Sequence, residues 1–402
     1  MPGGITPPGF CLRTSLVLIA MTDRIYFDNN ATTRIWPEVA EVMAEAWQTA
    51  FANPGSQHSF GRDARPVLEQ SRDTIARVLG ADPSEVIFTS GGTESINAAV
   101  YGLTLGRSGT IALTAGEHPA TTAACERARQ SGLKLATIDV DENGLITSAA
   151  LDRLPWNEVK LVCVILAHNE TGVIQELTEL SERCAAHRVP LLLDAVQAVG
   201  KIPVDFHALQ ATALAFGAHK FHGPRGIGGL LLRRGVSLPP FLDGGHQESG
   251  RRAGTEPVPL IAGMATALEL FEQDPTGRMA QVRQLRDSLQ RQLTELCAPV
   301  VVHGANTDRL PNTLSIAFPG IDGEALLVNL DLESVACSLG STCASGSAEP
   351  APALLAMSIP ADVCNSSVRF SLSGMNTQDD VDRAAQKIGA VVHRLRSVTP
   401  AS

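Results

Sequence analysis

The sequence has no run approaching the roughly 18 consecutive apolar residues of a membrane span, so no membrane partner is expected. It has no C-x-x-C pair either: its eight cysteines stand apart at 11, 125, 163, 184, 297, 337, 343 and 364. Zinc ribbons and thioredoxin-like sites need close cysteine pairs, so neither is expected, nor is a fixed metal. Positive charge is also short. The formal net charge is −10, the opposite of the basic footprint of a general nucleic-acid binder. Internal repeats and low-complexity blocks are missing too. The apolar stretch 16–21, preceded by Arg13, is shorter than the ~7–15-residue core of a secretory signal and lacks a small-residue cleavage site. The expectation is therefore that Met21 is the true start and that residues 1–20 are an extension foreign to the fold. Scattered cysteines without a secretory signal point to a reducing, cytoplasmic setting.

What is present is 402 residues, too many for one ordinary core, which suggests two domains. Apolar residues make up 44% and charged residues 18%, a normal globular balance. Short apolar runs at 86–89, 110–114, 135–139, 160–167, 190–194, 212–216 and 228–233 alternate with helix-like stretches such as 93–105, 120–131 and 177–187. Continuous rather than alternating apolar runs indicate strands covered on both faces, hence a mostly parallel sheet flanked by helices. A turn-forming cluster, Asp274-Pro275-Thr276-Gly277, marks a change. Beyond it the pattern gives a long amphipathic helix over 278–296, strands at 312–318 and 367–372, and a last helix from 378 to about 396. The expected division is a large domain over 30–276 and a smaller α+β domain formed by 21–29 and 277–402.

Ligands of open α/β sheets bind outside the carboxyl ends of the strands, so the residues after each strand carry the argument. After 86–89 comes SGGTES, which opens a helix. Glycines let backbone amides turn toward a ligand, and a helix N-terminus offers free N–H groups with partial positive charge. A phosphate site and a plain helix cap explain this motif equally well. Asp194 closes the strand 190–194, and Lys220 follows the strand 212–216. Either charge is costly to bury alone, so the two would pair with each other or lie solvated in loops. Taken together, a lysine for a Schiff base, an aspartate for a pyridinium nitrogen and a phosphate cradle are the three parts of a pyridoxal-phosphate site. Lys220 must lose its proton to attack an aldehyde, and burial or a nearby cation lowers its pKa.

The stretches YFDNNATTR, NPGSQHSFGR, FTSGGTESIN, GEHPATT, HNETGVIQ, DAVQAVGK, AHKFHGPRG, GGHQESGRRAGTEP, STCASGSAEP and VRFSLSGMNT follow in this order. From about Tyr26 to the last helix the sequence thereby resembles the NifS/IscS-type cysteine desulfurases of the class V aminotransferase-like family. The resemblance implies an α/β protein of the fold type I pyridoxal-phosphate transferases, with a mostly parallel seven-stranded sheet in the large domain and a smaller α+β domain. It implies a homodimer that converts L-cysteine to L-alanine and moves the sulfur to its own cysteine as a persulfide. Delivery would go to an iron–sulfur scaffold or another sulfur carrier for cluster assembly or thiolation. The resemblance casts Lys220 as the lysine that carries the cofactor and Asp194 as the partner of its ring nitrogen. Gln197 and Asn169 would donate to the ring oxygen, while Gly92, Thr93 and His219 would contact the phosphate. His118 would stack on the ring and move protons. Thr255 would reach the phosphate of the neighbouring subunit. Arg369, with Asn169, would grip the substrate carboxylate, which suits a bidentate guanidinium.

Most cysteines sit among apolar neighbours and read as small core residues. Cys343 lies instead in SLGSTCASGSAEP, among Gly and Ser with few apolar anchors, which predicts an exposed, mobile loop. A loop thiol is reachable by substrate and by acceptors. Cys337, in VACSLG, reads as the end of an element. The family pattern S-x-C-x-S-G followed by E-P selects Cys343, places the chain in the long-loop branch, and leaves room for a transient iron–sulfur contact through that thiol. Two positions depart from the family. Gly217 stands where a phosphate-binding serine is usual, and the loss of that donor predicts weaker cofactor retention than in a Gly217→Ser variant. His168 stands where asparagine is common, a change for which the sequence offers no account. Three rival readings share the site: another class V aminotransferase-type enzyme or related lyase, a selenocysteine lyase, and a sulfur platform that has lost its cofactor.

Overall fold

A computed structural model of the chain describes residues 24–339 and 351–398. The expectations for residues 1–20 and for the Cys343 loop lie outside the described residues. Among the described residues thirteen strands follow in chain order. A first short strand, β1 (Ile25–Tyr26), precedes the main sheet of β2 (Val86–Thr89), β3 (Thr110–Thr114), β4 (Lys134–Ile138), β5 (Val159–Ile165), β6 (Leu191–Asp194), β7 (Ala213–Gly217) and β8 (Gly228–Leu232). These are the seven strands read from the sequence, shifted by no more than two residues at their ends. The spatial order is β2-β8-β7-β6-β5-β3-β4. The block β7-β6-β5-β3-β4 is parallel, and β8 runs antiparallel to both neighbours.

Side chains along a strand point alternately to opposite faces, and here both faces are dry. On β6, Leu191 and Leu193 join one hydrophobic cluster and Leu192 joins another on the opposite face. On β5, Val162 and Val164 go to the first face, and Leu161 and Cys163 to the second. Each fully buried Leu or Val stabilises the fold by about 1.5–3 kcal/mol, so a charge at Leu193 would be among the most damaging single changes. Within the main sheet only the edge strand β4 leaves residues exposed.

A second hydrophobic core gathers Ile25 and Phe27 with residues from Val282 to Val392. It holds an antiparallel sheet of β9 (Val301–Val302), β10 (Thr313–Ala317), β12 (Ser338–Leu339) and β13 (Ser367–Ser371), ordered β12-β13-β10-β9, while β1 pairs with β11 (Val335–Ala336). The long helix expected at 278–296 is Pro275–Cys297. The Asp274–Gly277 cluster is thus the opening of that helix, with the Asp274 carboxylate accepting from Gly277 N. The residues that read as a turn are a cap and its first turn, since Asp before Pro serves both purposes. The last helix is Gln378–Val398. Among the described residues no helix is long and apolar enough to cross a membrane.

Candidate active site

The carboxyl ends of β2, β3, β5, β6 and β7 meet at one edge of the main sheet and enclose a cavity of about 360 Å³. Gly92, Thr93, His118, Asn169, Asp194, Gln197, His219, Lys220 and Arg369 all line it. Two residues expected at the site are not among the lining. Thr255 is exposed, on a loop fastened to the helix Gly92–Thr104 by an ion pair between Arg252 Nε and Glu94 Oε1 (2.9 Å). Cys343 lies outside the described residues.

Each lining group is set by its element. The helix Gly92–Thr104 begins without any side-chain cap, so the amides of its first turn have no side-chain acceptor. Glycine is required at its first residue, because a Cβ on Gly92 would meet Val196 Cγ2 at 2.4 Å. Asp194 ends β6 fully buried, its Oδ1 accepting from Val196 N (3.0 Å). Burial pushes its pKa up to about 6, opposed by the Val196 amide and by Lys220. Lys220 Nζ donates only to backbone oxygens, Asn30 O (2.6 Å) and Ala31 O (2.9 Å). Burial, then the Arg369 charge, lowers its pKa to about 8. Of the two bland alternatives for Asp194 and Lys220, the ion pair is absent among the described residues, and solvated loop positions do not describe them either, since both line the cavity.

His118 caps the helix Pro119–Gln130, its Nδ1 accepting from Ala120 N (3.1 Å). That bond leaves any proton on Nε2. Burial first, then Lys220 and His168, lower its pKa to about 4, so the ring is neutral at physiological pH. His168, the second departure from the family pattern, is buried beside it. Its Nε2 donates to Gly116 O (2.9 Å) and its Nδ1 accepts from Glu170 N (3.1 Å), which ties the His118 loop to the Asn169 loop. His219 Nδ1 meets Thr32 Oγ1 at 3.2 Å.

Arg369, on β13, is nearly buried and forms ion pairs with Asp28 (2.8 Å) and Glu170 (2.9 Å), while its Nε has no partner. The salt-bridge role and the cavity position therefore coexist in one side chain. Asn169 gives Nδ2 to Glu170 Oε1 (2.7 Å), and its buried Oδ1 is left without a partner.

Sequence reasoning did not single out the hub of this site. Asn30 is 1% exposed. Its carbonyl accepts from Lys220 and from Gln197 Nε2 (2.9 Å), and its Oδ1 accepts from Lys201 Nζ (2.8 Å) and Asn312 (3.0 Å). Its Nδ2 donates to Asn169 O (3.0 Å) and Thr313 Oγ1 (2.9 Å). Lys201, half-buried and with its pKa pushed down by burial, also bonds Gln197 Oε1. The available signal was the lysine seven residues after Asp194 on an otherwise apolar stretch.

The described cysteines other than Cys337 are buried. Burial pushes Cys184 and Cys337 up to about 12 and Cys297 to about 11, so these thiols stay protonated and unreactive.

The donor set fits a phosphorylated, cationic heteroaromatic aldehyde. It offers a capless helix start for an anion, a buried carboxylate for a ring cation, and an amine with a depressed pKa for the aldehyde. The aminotransferase class-V family matches residues 25–384. The cysteine desulfurase of Enterobacter agglomerans is 42% identical over 381 residues, 94% of each chain. The cysteine desulfurase NifS of Azotobacter vinelandii is 38% identical over 379 residues, again 94% of each. Among solved structures, a NifS-like protein superposes with a TM-score of 0.86 at 34% identity, over 92% of this chain and 100% of that one.

Proposed function

From the premise that the chain belongs to the aminotransferase class-V family, we propose that its site draws sulfur from L-cysteine, releases L-alanine, and loads the sulfur on Cys343 as a persulfide. The observation that carries this reading is the convergence of Lys220, Asp194, His118 and the uncapped helix start on one cavity. The curated relatives named cysteine desulfurase match along 94% of the chain.

The residues that would hold pyridoxal phosphate are Lys220 at the aldehyde, Asp194 at the ring nitrogen, Gln197 and Asn169 at the ring oxygen, and Gly92, Thr93 and His219 at the phosphate. When bound, that group supplies an electron sink for the substrate's α-carbon. The neutral amine of Lys220 takes the α-proton at Nζ. Asp194, ionised at neutral pH, keeps a positive charge on the ring nitrogen favourable. His118, neutral and bearing its proton on Nε2, covers the cavity and exchanges protons there. Arg369 and Asn169 hold the substrate carboxylate. Cys343 attacks the substrate sulfur as a thiolate. The new S–S bond forms as the substrate's carbon–sulfur bond breaks, one proton goes to the carbon that becomes alanine's methyl group, and Lys220 Nζ returns one to the α-carbon.

Thr255 serves the neighbouring subunit's phosphate in a homodimer, which its exposure and its absence from its own chain's cavity support. The sulfur then passes to a scaffold or carrier protein in the cytoplasm. The test is intact-mass analysis after L-cysteine is added, with peptide mapping of the product. One extra sulfur atom on Cys343 is expected. A Cys343→Ala protein that still charges itself at the wild-type rate sinks the proposal.

A further inference from the structure

We infer that Glu117 is a positioning residue for this reaction, an uncharged carboxylic acid that fastens the His118 loop to the strand beside Asp194 and leaves Asp194 the charged member of the two neighbouring acids. Glu117 sits between the end of β3 and His118 and is 5% exposed. Its Oε1 accepts from Ile165 N at 2.6 Å. Ile165 is the last residue of β5 and the register partner of Asp194 on β6. One side chain thus ties the end of β3 to the end of β5, next to Asp194, and anchors the loop that carries the histidine.

Its surroundings set it apart from the other buried glutamates. Glu248 takes two bonds from the Arg72 guanidinium and one from Phe88 N. Glu85 takes two backbone amides and the His207 ring. Glu117 has one amide and no cation. Its buried Oε2 has only the neutral hydroxyls of Thr114 and Thr121 beside it, which pull its pKa down without offsetting burial. A carboxylate buried with so little support is costly, whereas the protonated acid brings a donor of its own to those oxygens.

The groups facing it are Asp194 from β6, Cys163 from β5, Thr114 from β3 and Thr121 from the following helix. Asp194 is the one among them that is charged at neutral pH. Burial, with Asp194 adding to it, moves Glu117 up to about 8, while Asp194 stays near 6. Two neighbouring acids held apart in this way divide the roles, one charged and one neutral between those values.

The loop-anchoring consequence rests on the proposed pyridoxal-phosphate reading, but the protonation state does not. Two arms of one experiment separate them. In the first, full-length protein stripped of cofactor is unfolded thermally from pH 5 to 9, as wild type and as Glu117→Gln. An acid whose folded pKa is raised holds an extra proton in the folded state, so stability falls as pH rises from the unfolded value of 4.5 to about 8 and then levels. Glutamine lacks that slope, and the Gln variant should gain on wild type through this window. A difference that does not change with pH overturns the inference. In the second arm, the loaded protein is followed by its visible absorbance. Glu117→Gln should release cofactor at the wild-type rate at pH 7, and Glu117→Ala several-fold faster. Equal release from both variants, faster than wild type, overturns the anchoring role. A wild type that takes up no cofactor instead sinks the functional reading, and the unfolding arm still decides Glu117.

Discussion

Buried charge is handled in opposite ways in two regions of this molecule. Around Glu248, in the loop after β8, every charge is answered. Arg72 binds Glu248 through both terminal nitrogens (2.8 and 2.9 Å) and stacks on Phe88, while Arg251 donates to Ser84 O. The backbone there even holds Glu248 and Ser249 in the left-handed region, a cost of order 1–3 kcal/mol each that the network must offset. At the cavity the groups are under-answered. Lys220 meets only carbonyls, Asp194 has one amide, and Asn169 Oδ1 has nothing. The first arrangement fixes a loop. The second leaves groups poised to bind and to exchange protons, at the expense of local stability.

Replacing one member in each region should separate these roles. Lys220→Ala should lower alanine formation by roughly a thousandfold, within the range for a lost acid–base group. The unfolding midpoint of its cofactor-free form should not fall, because a poorly supported buried amine has been removed. Steady-state kinetics and calorimetry check both halves, and a large loss of stability would erase the contrast. Arg72→Met should do the reverse. It strands Glu248 and should cost about 3–5 kcal/mol of stability, with turnover per folded molecule nearly intact. Adding Glu248→Leu should recover much of that cost.

The comparison sharpens with pH. Below about 8 the Lys220 amine is mostly protonated, so the rate of cofactor uptake by the stripped protein should climb tenfold per pH unit and level above 8. A flat profile between pH 6 and 8 would mean that the amine is already neutral. The smallest effect is expected at Gly217. A Cβ there would lie 3.3 Å from Gly92 N, close enough that Gly217→Ser sets a hydroxyl near the helix start with a slight shift. One restored hydrogen bond of about 1 kcal/mol should slow cofactor loss roughly fivefold, read by dilution and absorbance. Equal dissociation rates would remove Gly217 as the cause of any weakness.

The seven main strands were legible because both faces are buried, which writes them as unbroken apolar runs. The helix Val258–Gln273 was not, since it is apolar nearly all round and shows no polar face to give a period. The two-residue strands β1, β9, β11 and β12 are too short to leave any pattern. At the site, Lys220 and Asp194 announced themselves by charge at strand ends, while His118 stood out only through the family resemblance. Asn30 did not. It carries no charge, and its importance lies in partners 139 to 341 positions away, which no local window displays. Glu117 was masked by the histidine next to it.

Asn30 has a last consequence. Its side-chain amide grips Asn312 and Thr313, at the start of β10 in the second core, while its own carbonyl receives the Lys220 amine. Any load that drags β10 away from the main sheet must tug that carbonyl and change how strongly Lys220 holds a proton.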